Sequence, residues 1–214
     1  MNLIDFQTSL NYVKPFLDGS FIEFGVCTSD SMCQALSHFI NINNKPNFVF
    51  GFDSFEGLPD EKEGVQIPSN WVKGGFALKD HCPRWGGERT KEAGLRYIEQ
   101  QLQPYRNFDI NIKLISGWFK DTLNKDIVKL IKSNKAMFVH IDTDIYISTL
   151  EVLDFIFNNN ILEDQCLIKY DDWDLRDYNI EMYTAGQSKA HVEMLEKYKP
   201  NLTQICDNLY RYNK

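Results

Sequence analysis

Apolar residues near the amino end fall at Leu3, Phe6, Leu10 and Val13, with Phe16 or Leu17 next. Steps of three to four predict an amphipathic covering helix over residues 3–16, and Lys14-Pro15 marks its end. Asp18-Gly19-Ser20 then turns the chain into a short strand at residues 21–24. A loop at 25–29 leads to a helix at 31–40 that buries Met32, Leu36, Phe39 and Ile40, and a second strand from Asn47 to Phe52 stops at Asp53. Strand, helix and strand in this order make a βαβ unit, whose right-handed crossover sets the two strands parallel. From 57 to about 87 no period survives. Gly, Pro and charge surround isolated aromatics there, and a stretch that long is read as a lid or acceptor loop.

Periodicity resumes with a helix over 88–102 and an alternating strand over 110–115 that Ser116-Gly117 turns. Asp121-Thr122 is placed to start a helix carrying Ile127, Val128, Leu130 and Ile131. Residues 138–141 form a strand that ends in Asp142 and Asp144. Ser148-Thr149 can cap the helix that follows, with Leu150, Leu153 and Ile156 on its inner face. Residues 167–170 repeat the theme and end in Asp171-Asp172. After a helix at 189–198, two short runs, 202–206 and 209–212, flank Asp207-Asn208 as an antiparallel hairpin. The expected fold is therefore three-layer α/β, with a mostly parallel sheet closed by that hairpin and ligands at the carboxyl ends of its strands.

With 214 residues, 43% of them hydrophobic, the chain can bury one full core, so residues 1–214 are expected to form a single domain. A net charge of −7 and the absence of a Lys/Arg cluster argue against a nucleic-acid partner. No apolar run is long enough to span a bilayer, which argues against an integral membrane role. The five cysteines are odd in number and scattered, without a Cys-x-x-Cys pair. That pattern suggests neither a disulfide framework nor a zinc site, and it fits a reducing cytoplasm.

The chemistry concentrates where strands end in acid. Asp142, Asp144, Asp171 and Asp172 at one sheet edge would repel one another unless a proton or a cation intervened, and an all-oxygen set favours Mg²⁺, Ca²⁺ or Mn²⁺ over zinc. Single aspartates at strand ends also serve as plain turn residues. His140 lies one strand period before Asp142, where it is either a packed histidine or a catalytic one. In Glu23-Phe-Gly25-Val-Cys-Thr28-Ser29, a glycine lets the backbone approach a ligand, and hydroxyls or helix amides can meet a carboxylate. A capped turn explains the same residues. Asp53 occupies the position where nucleotide-binding sheets place the acid that takes the ribose hydroxyls. Trp71, Phe76, Arg84 and Trp85 either wall an acceptor pocket or pin the long loop to the core.

Taken together, Glu23-Phe24-Gly25-Val26, Gly51-Phe-Asp53-Ser54-Phe-Glu-Gly-Leu-Pro59, Ser116-Gly117-Trp118-Phe119-Lys-Asp121-Thr122-Leu123, Asp142-Thr-Asp144-Ile-Tyr146-Ile-Ser148-Thr149-Leu150 and Asp171-Asp172 resemble the macrocin/mycinamicin type of sugar O-methyltransferase. The resemblance runs from about Asp18 to about Lys199. It implies a Rossmann-like class I methyltransferase fold, S-adenosylmethionine as cofactor, a divalent cation such as Mg²⁺, a hydroxylated small-molecule acceptor of the deoxysugar or natural-product kind, and a homodimer. On this reading Glu23, Gly25, Thr28 and Ser29 line the methionine end of the cofactor. Asp53 and Ser54 take the ribose, and Ser116, Gly117 and Trp118 close over the adenine. Asp142, Asp171 and Asp172 hold the metal, and Asp142, Asp144 or His140 provides acid–base chemistry. The alternatives are methylation of a phenol or amine, a dehydrogenase, whose fuller glycine fingerprint is missing, and a cofactor-binding protein without catalysis.

Overall fold

The strand at Ala136–Ile141 is buried at every position, as expected of a parallel strand covered on both faces. It lies at the centre of the computed structural model, which describes residues 2–14 and 18–214. Seven strands, β1 (Ser20–Phe24), β2 (Phe48–Asp53), β3 (Asn111–Ser116), β4 (Ala136–Ile141), β5 (Leu162–Tyr170), β6 (Leu202–Cys206) and β7 (Leu209–Tyr212), form one sheet in the order β3-β2-β1-β4-β5-β7-β6. The first five are mutually parallel. β7 runs antiparallel to both β5 and β6, which makes the terminal hairpin.

Alternate residues along the strands feed two cores. Phe21, Phe138 and Leu167 pack with Phe39 of α2 (Asp30–Asn41) and Ile98 of α3 (Lys91–Arg106). On the opposite face Ile22, Val139 and Ile168 meet Val152 and Leu153 of α6 (Tyr146–Asn159) and Met194 of α7 (Gly186–Tyr198). The chain steps outward from β1 to β3, then returns to place β4 and β5 on the other side of β1. The strand order thus reverses between β1 and β4, where a crevice opens at the carboxyl ends.

Several helix bounds differ from the sequence expectation, and caps explain most of them. The amino-terminal helix α1 spans only Phe6–Leu10 behind an Asp5 cap, and Pro15, Phe16 and Leu17 lie outside the described residues. Thr90 caps α3, moving it later than 88–102. Asp121-Thr122 does not start a long helix. Those residues belong to the short α4 (Phe119–Thr122), and Asn124 then caps α5 (Lys125–Lys132) through the amides of Asp126 and Ile127. Ser148 and Thr149 do not cap α6 but lie inside it. The stretch expected to be irregular from 57 to 87 contains a 3-10 helix, Leu78–Trp85.

Candidate functional site

Four strand ends are tied in series. The Gly25 amide donates to the Phe52 carbonyl at 2.9 Å, the Asp142 amide to Phe24 at 2.8 Å and the Asp171 amide to Ile141 at 3.0 Å. Gly25 has φ +89°, and a Cβ there would lie 1.7 Å from the Asp142 carbonyl oxygen. Only glycine lets the β1 turn press this closely on the start of the acidic segment. Beyond the turn, Cys27 and Ser29 also adopt left-handed φ, at +46° and +67°.

A cavity of about 660 Å³ opens above these ends. At one end lie Gly117, Trp118 and Phe119, in the middle Asp53 and Ser54, and at the other end Gly25, Cys27, Asp142, Thr143 and Asp144. Residues of the 57–87 loop roof it: Leu58, Pro59, Asp60, Lys73 and Phe76. Asp53 Oδ2 accepts the amides of Val26 (2.9 Å) and Cys27 (2.8 Å), and Oδ1 accepts that of Phe55 (2.6 Å). Burial still raises its pKa, and three amides leave a carboxylate with acceptor capacity for a hydroxyl. The Cys27 thiol, pushed up to about 12 by burial and by Asp53, is neutral and stands 3.4 Å from His81 Nε2.

Asp142, Asp171 and Asp172 each offer an oxygen, and these atoms all lie within 4.8 Å of one another. Burial and the neighbouring acids raise Asp142 and Asp144 well above the usual carboxylate range, and Asp172 to about 6. Asp171 goes the other way. His140 Nε2 and Lys169 Nζ, each 3.6 Å from its Oδ1, favour its charged form. Asp172 Oδ2 is buried without a hydrogen-bond partner. Asp144, at φ +56°, lines the cavity and accepts no hydrogen bond among the described residues.

Other expected site residues lie elsewhere. Glu23 is fully buried beneath the loop and away from the cavity. Its Oε1 accepts from Ser31 Oγ at 2.5 Å and pairs with His140 Nδ1 at 2.8 Å. The reason is the alternation of β1, which turns Glu23 onto the α2 face beside its strand neighbour His140. His140 is buried against the Phe6 ring, 4.1 Å between centroids, and faces a second cavity of about 270 Å³ rather than the first. Burial opposes its charge, but Asp171 and Glu23 outweigh that and raise its pKa. Thr28 lines this second cavity and donates to Asp30 at 3.1 Å. Ser29 is buried and touches neither cavity, and Ser116 is exposed outside both.

The long loop is split in its roles. Trp71 is buried and pins it, whereas Phe76 walls the cavity. Trp85 packs on Tyr97 and donates to the Glu88 carbonyl, and Arg84 pairs with Asp30 at 2.6 Å. Two residues were missed from the sequence. Lys169, almost completely buried, is the register partner of His140, and its ammonium donates to the Tyr170 carbonyl. A lysine inside an apolar strand two residues before Asp171 was the available signal. Glu61, from the long loop, carried no such signal.

The sequence model of the macrocin-O-methyltransferase (TylF) family matches residues 5–191. Among solved structures, the calicheamicin methyltransferase CalS11 is similar at 17% identity and a TM-score of 0.71, over 97% of this chain and 76% of that one. The O-methyltransferase NovP is similar at 19% identity and a TM-score of 0.57, over 98% and 77%. No curated protein sequence matches the chain. At these identities the structures testify to the fold, and the family match rests on the sequence itself. Since that match takes in β1 to β5 and all the acids of the site, the chain belongs to the macrocin-O-methyltransferase family and is an S-adenosylmethionine-dependent O-methyltransferase.

Proposed function

We propose that the protein methylates a hydroxyl of a sugar or sugar-bearing small molecule, with a divalent cation such as Mg²⁺ on Asp142, Asp171 and Asp172. The observation that carries this reading is the convergence of those three carboxylates beside a cavity of about 660 Å³ lined by Asp53, Ser54, Gly117 and Trp118. The donor set suits the ion: three oxygens, two of them on carboxyls whose charge is costly without a cation, and an orphaned buried oxygen on Asp172. Bound there, the cation would lower the pKa of an acceptor hydroxyl, and S-adenosylmethionine supplies an electrophilic methyl.

The residues of the chain do the rest. Asp53 and Ser54 are set for the ribose, Gly117 and Trp118 for the adenine, and the backbone of Gly25 and Cys27 for the methionine end, with Thr28 in the adjoining cavity. Asp144 is the proposed general base, because its carboxylate accepts no hydrogen bond among the described residues, faces the cavity and has a pKa raised by burial and by the neighbouring acids. His140 then acts indirectly, holding Asp171 charged and oriented from behind. Glu23 in turn orients His140. Most of the rate enhancement would come from alignment and electrostatics, since methyl transfer needs no covalent intermediate on the protein.

Length and apolar content favour a single domain over 1–214, the scattered cysteines a reducing cytoplasm, and the family resemblance a homodimer. A net charge of −7 disfavours nucleic acid as a partner, and among the described residues no helix is long and apolar enough to cross a membrane. The test is transfer of labelled methyl from S-adenosylmethionine to a panel of glycosides and free deoxysugars, with and without a chelator. Asp171→Ala and chelation should each cut the rate by a hundredfold or more. Undiminished methylation in both would sink the metal assignment.

A further inference from the structure

Helix α6 begins immediately after the acidic turn, and its N-cap, Ile145, has no side chain able to satisfy the exposed amides. Glu61 of the long loop does so from 85 residues away. Its Oε2 accepts the Tyr146 amide at 2.8 Å, and its Oε1 the Ile147 amide at 3.1 Å. Lys62 lies over the Tyr146 ring at 5.5 Å. Around this tie, Leu58 and Trp71 pack on Ile145. The loop is closed at its base by hydrogen bonds of 2.9 Å between Leu58 and Gly75 and between Gly74 and Leu58. Residues 58–75 thus form a closed flap whose one carboxylate anchor is the first turn of the helix that carries Asp142 and Asp144 at its entrance.

We propose that Glu61 is a positioning residue that couples closure of this flap over the cofactor cavity to the placement of the Asp142–Asp144 turn. Removing its carboxylate frees Pro59, Asp60 and Lys73 of the flap to leave the cavity wall and strips the N-terminus of α6 of its only side-chain acceptor among the described residues. Nothing in Glu61 touches the reacting atoms. Its effect runs through the helix and the flap. This rests on the cavity being the S-adenosylmethionine site, so the test includes a ligand-free arm.

The experiment follows two rates in wild type, Glu61→Ala and Glu61→Gln: dissociation of S-adenosylmethionine, and tryptic cleavage after the flap residues Lys62 and Lys73 with and without cofactor. Glu61→Ala should raise both about tenfold, the factor worth one charge-assisted hydrogen bond to a part-exposed group. Glu61→Gln, which keeps one acceptor oxygen, should recover much of the loss. Rates for Glu61→Ala within twofold of wild type overturn the proposal. So does faster cleavage spread equally to Lys129 and Lys132 of α5, which would mean general unfolding. A wild type that binds no S-adenosylmethionine overturns the reading of the cavity instead, while cleavage in the ligand-free arm still decides the tie.

Discussion

Replacing Gly25 by alanine should damage the site more than its surroundings suggest, and a second glycine provides the control. At φ +89° a Cβ costs about 1–2 kcal/mol in backbone strain. The contact of 1.7 Å with the Asp142 carbonyl oxygen cannot be tolerated, so the β1 turn must move away by more than an ångström. That movement breaks or stretches the Gly25–Phe52 and Asp142–Phe24 hydrogen bonds, each worth about 0.5–1.5 kcal/mol net. Together the losses come to about 2–5 kcal/mol. Gly64 has a similar φ of +81° but open space around its missing Cβ, so Gly64→Ala incurs only the strain, about 1–2 kcal/mol. Both variants share the small entropic gain of losing a glycine in the unfolded chain, which cancels in the comparison. Urea unfolding at constant m reports the difference, and calorimetry reports cofactor affinity, which Gly25→Ala should reduce at least tenfold and Gly64→Ala should leave alone. Midpoints for the two variants that agree within about 1 kcal/mol would refute the argument that β1 is wedged against the acidic turn.

Asp172 titrates near 6 when folded, above its ordinary 3.8, so the metal-free protein carries an unfavourable charge above pH 6 that is relieved as the pH falls toward 4. Asp142 and Asp144 shift the same way, and so does His140, whose raised pKa contributes stability that is lost as pH rises. The contribution of Asp172 to metal-free stability should therefore fall between pH 4 and pH 7 by an amount on the order of 2–3 kcal/mol, which comparison with Asp172→Asn isolates. Mg²⁺ should raise the melting temperature at pH 7.5 but hardly at pH 5, and calorimetric melts with equal Mg²⁺ response at both would contradict the shared site. Trp118→Ala should weaken S-adenosylmethionine binding about tenfold through loss of an aromatic stack, leaving the KM of the acceptor unchanged, as initial-rate kinetics can show.

Much of the sheet was legible because burial on both faces leaves a local trace. β6 and β7 have the residues their alternating runs indicated, and Asp207-Asn208 turns between them as expected. Asp53, Asp142 and Asp171 could be placed at strand ends for the same reason: an apolar run that stops on acid marks the edge of the core. The helix starts were less legible, since a cap is one hydrogen bond chosen among nearby polar residues. Asn124 won over Asp121-Thr122 and Thr90 over Glu88.

The sequence by itself determined which residues are apolar on which period, hence seven strands, their order along the chain and the acids that end them. Only the tertiary structure decided which neighbours those residues meet. Parallel register set Glu23 beside His140 and His140 beside Lys169, so that the Glu23 carboxylate meets the His140 ring on the α2 face and the ring reaches Asp171. Packing of the long loop brought Glu61 to the amides of Tyr146 and Ile147. Periodicity reports the face a side chain takes within its own element. Contacts across strands and across 85 residues are selected by burial and by the need of each orphaned amide or charge to find a partner, and that selection is made by the whole fold at once.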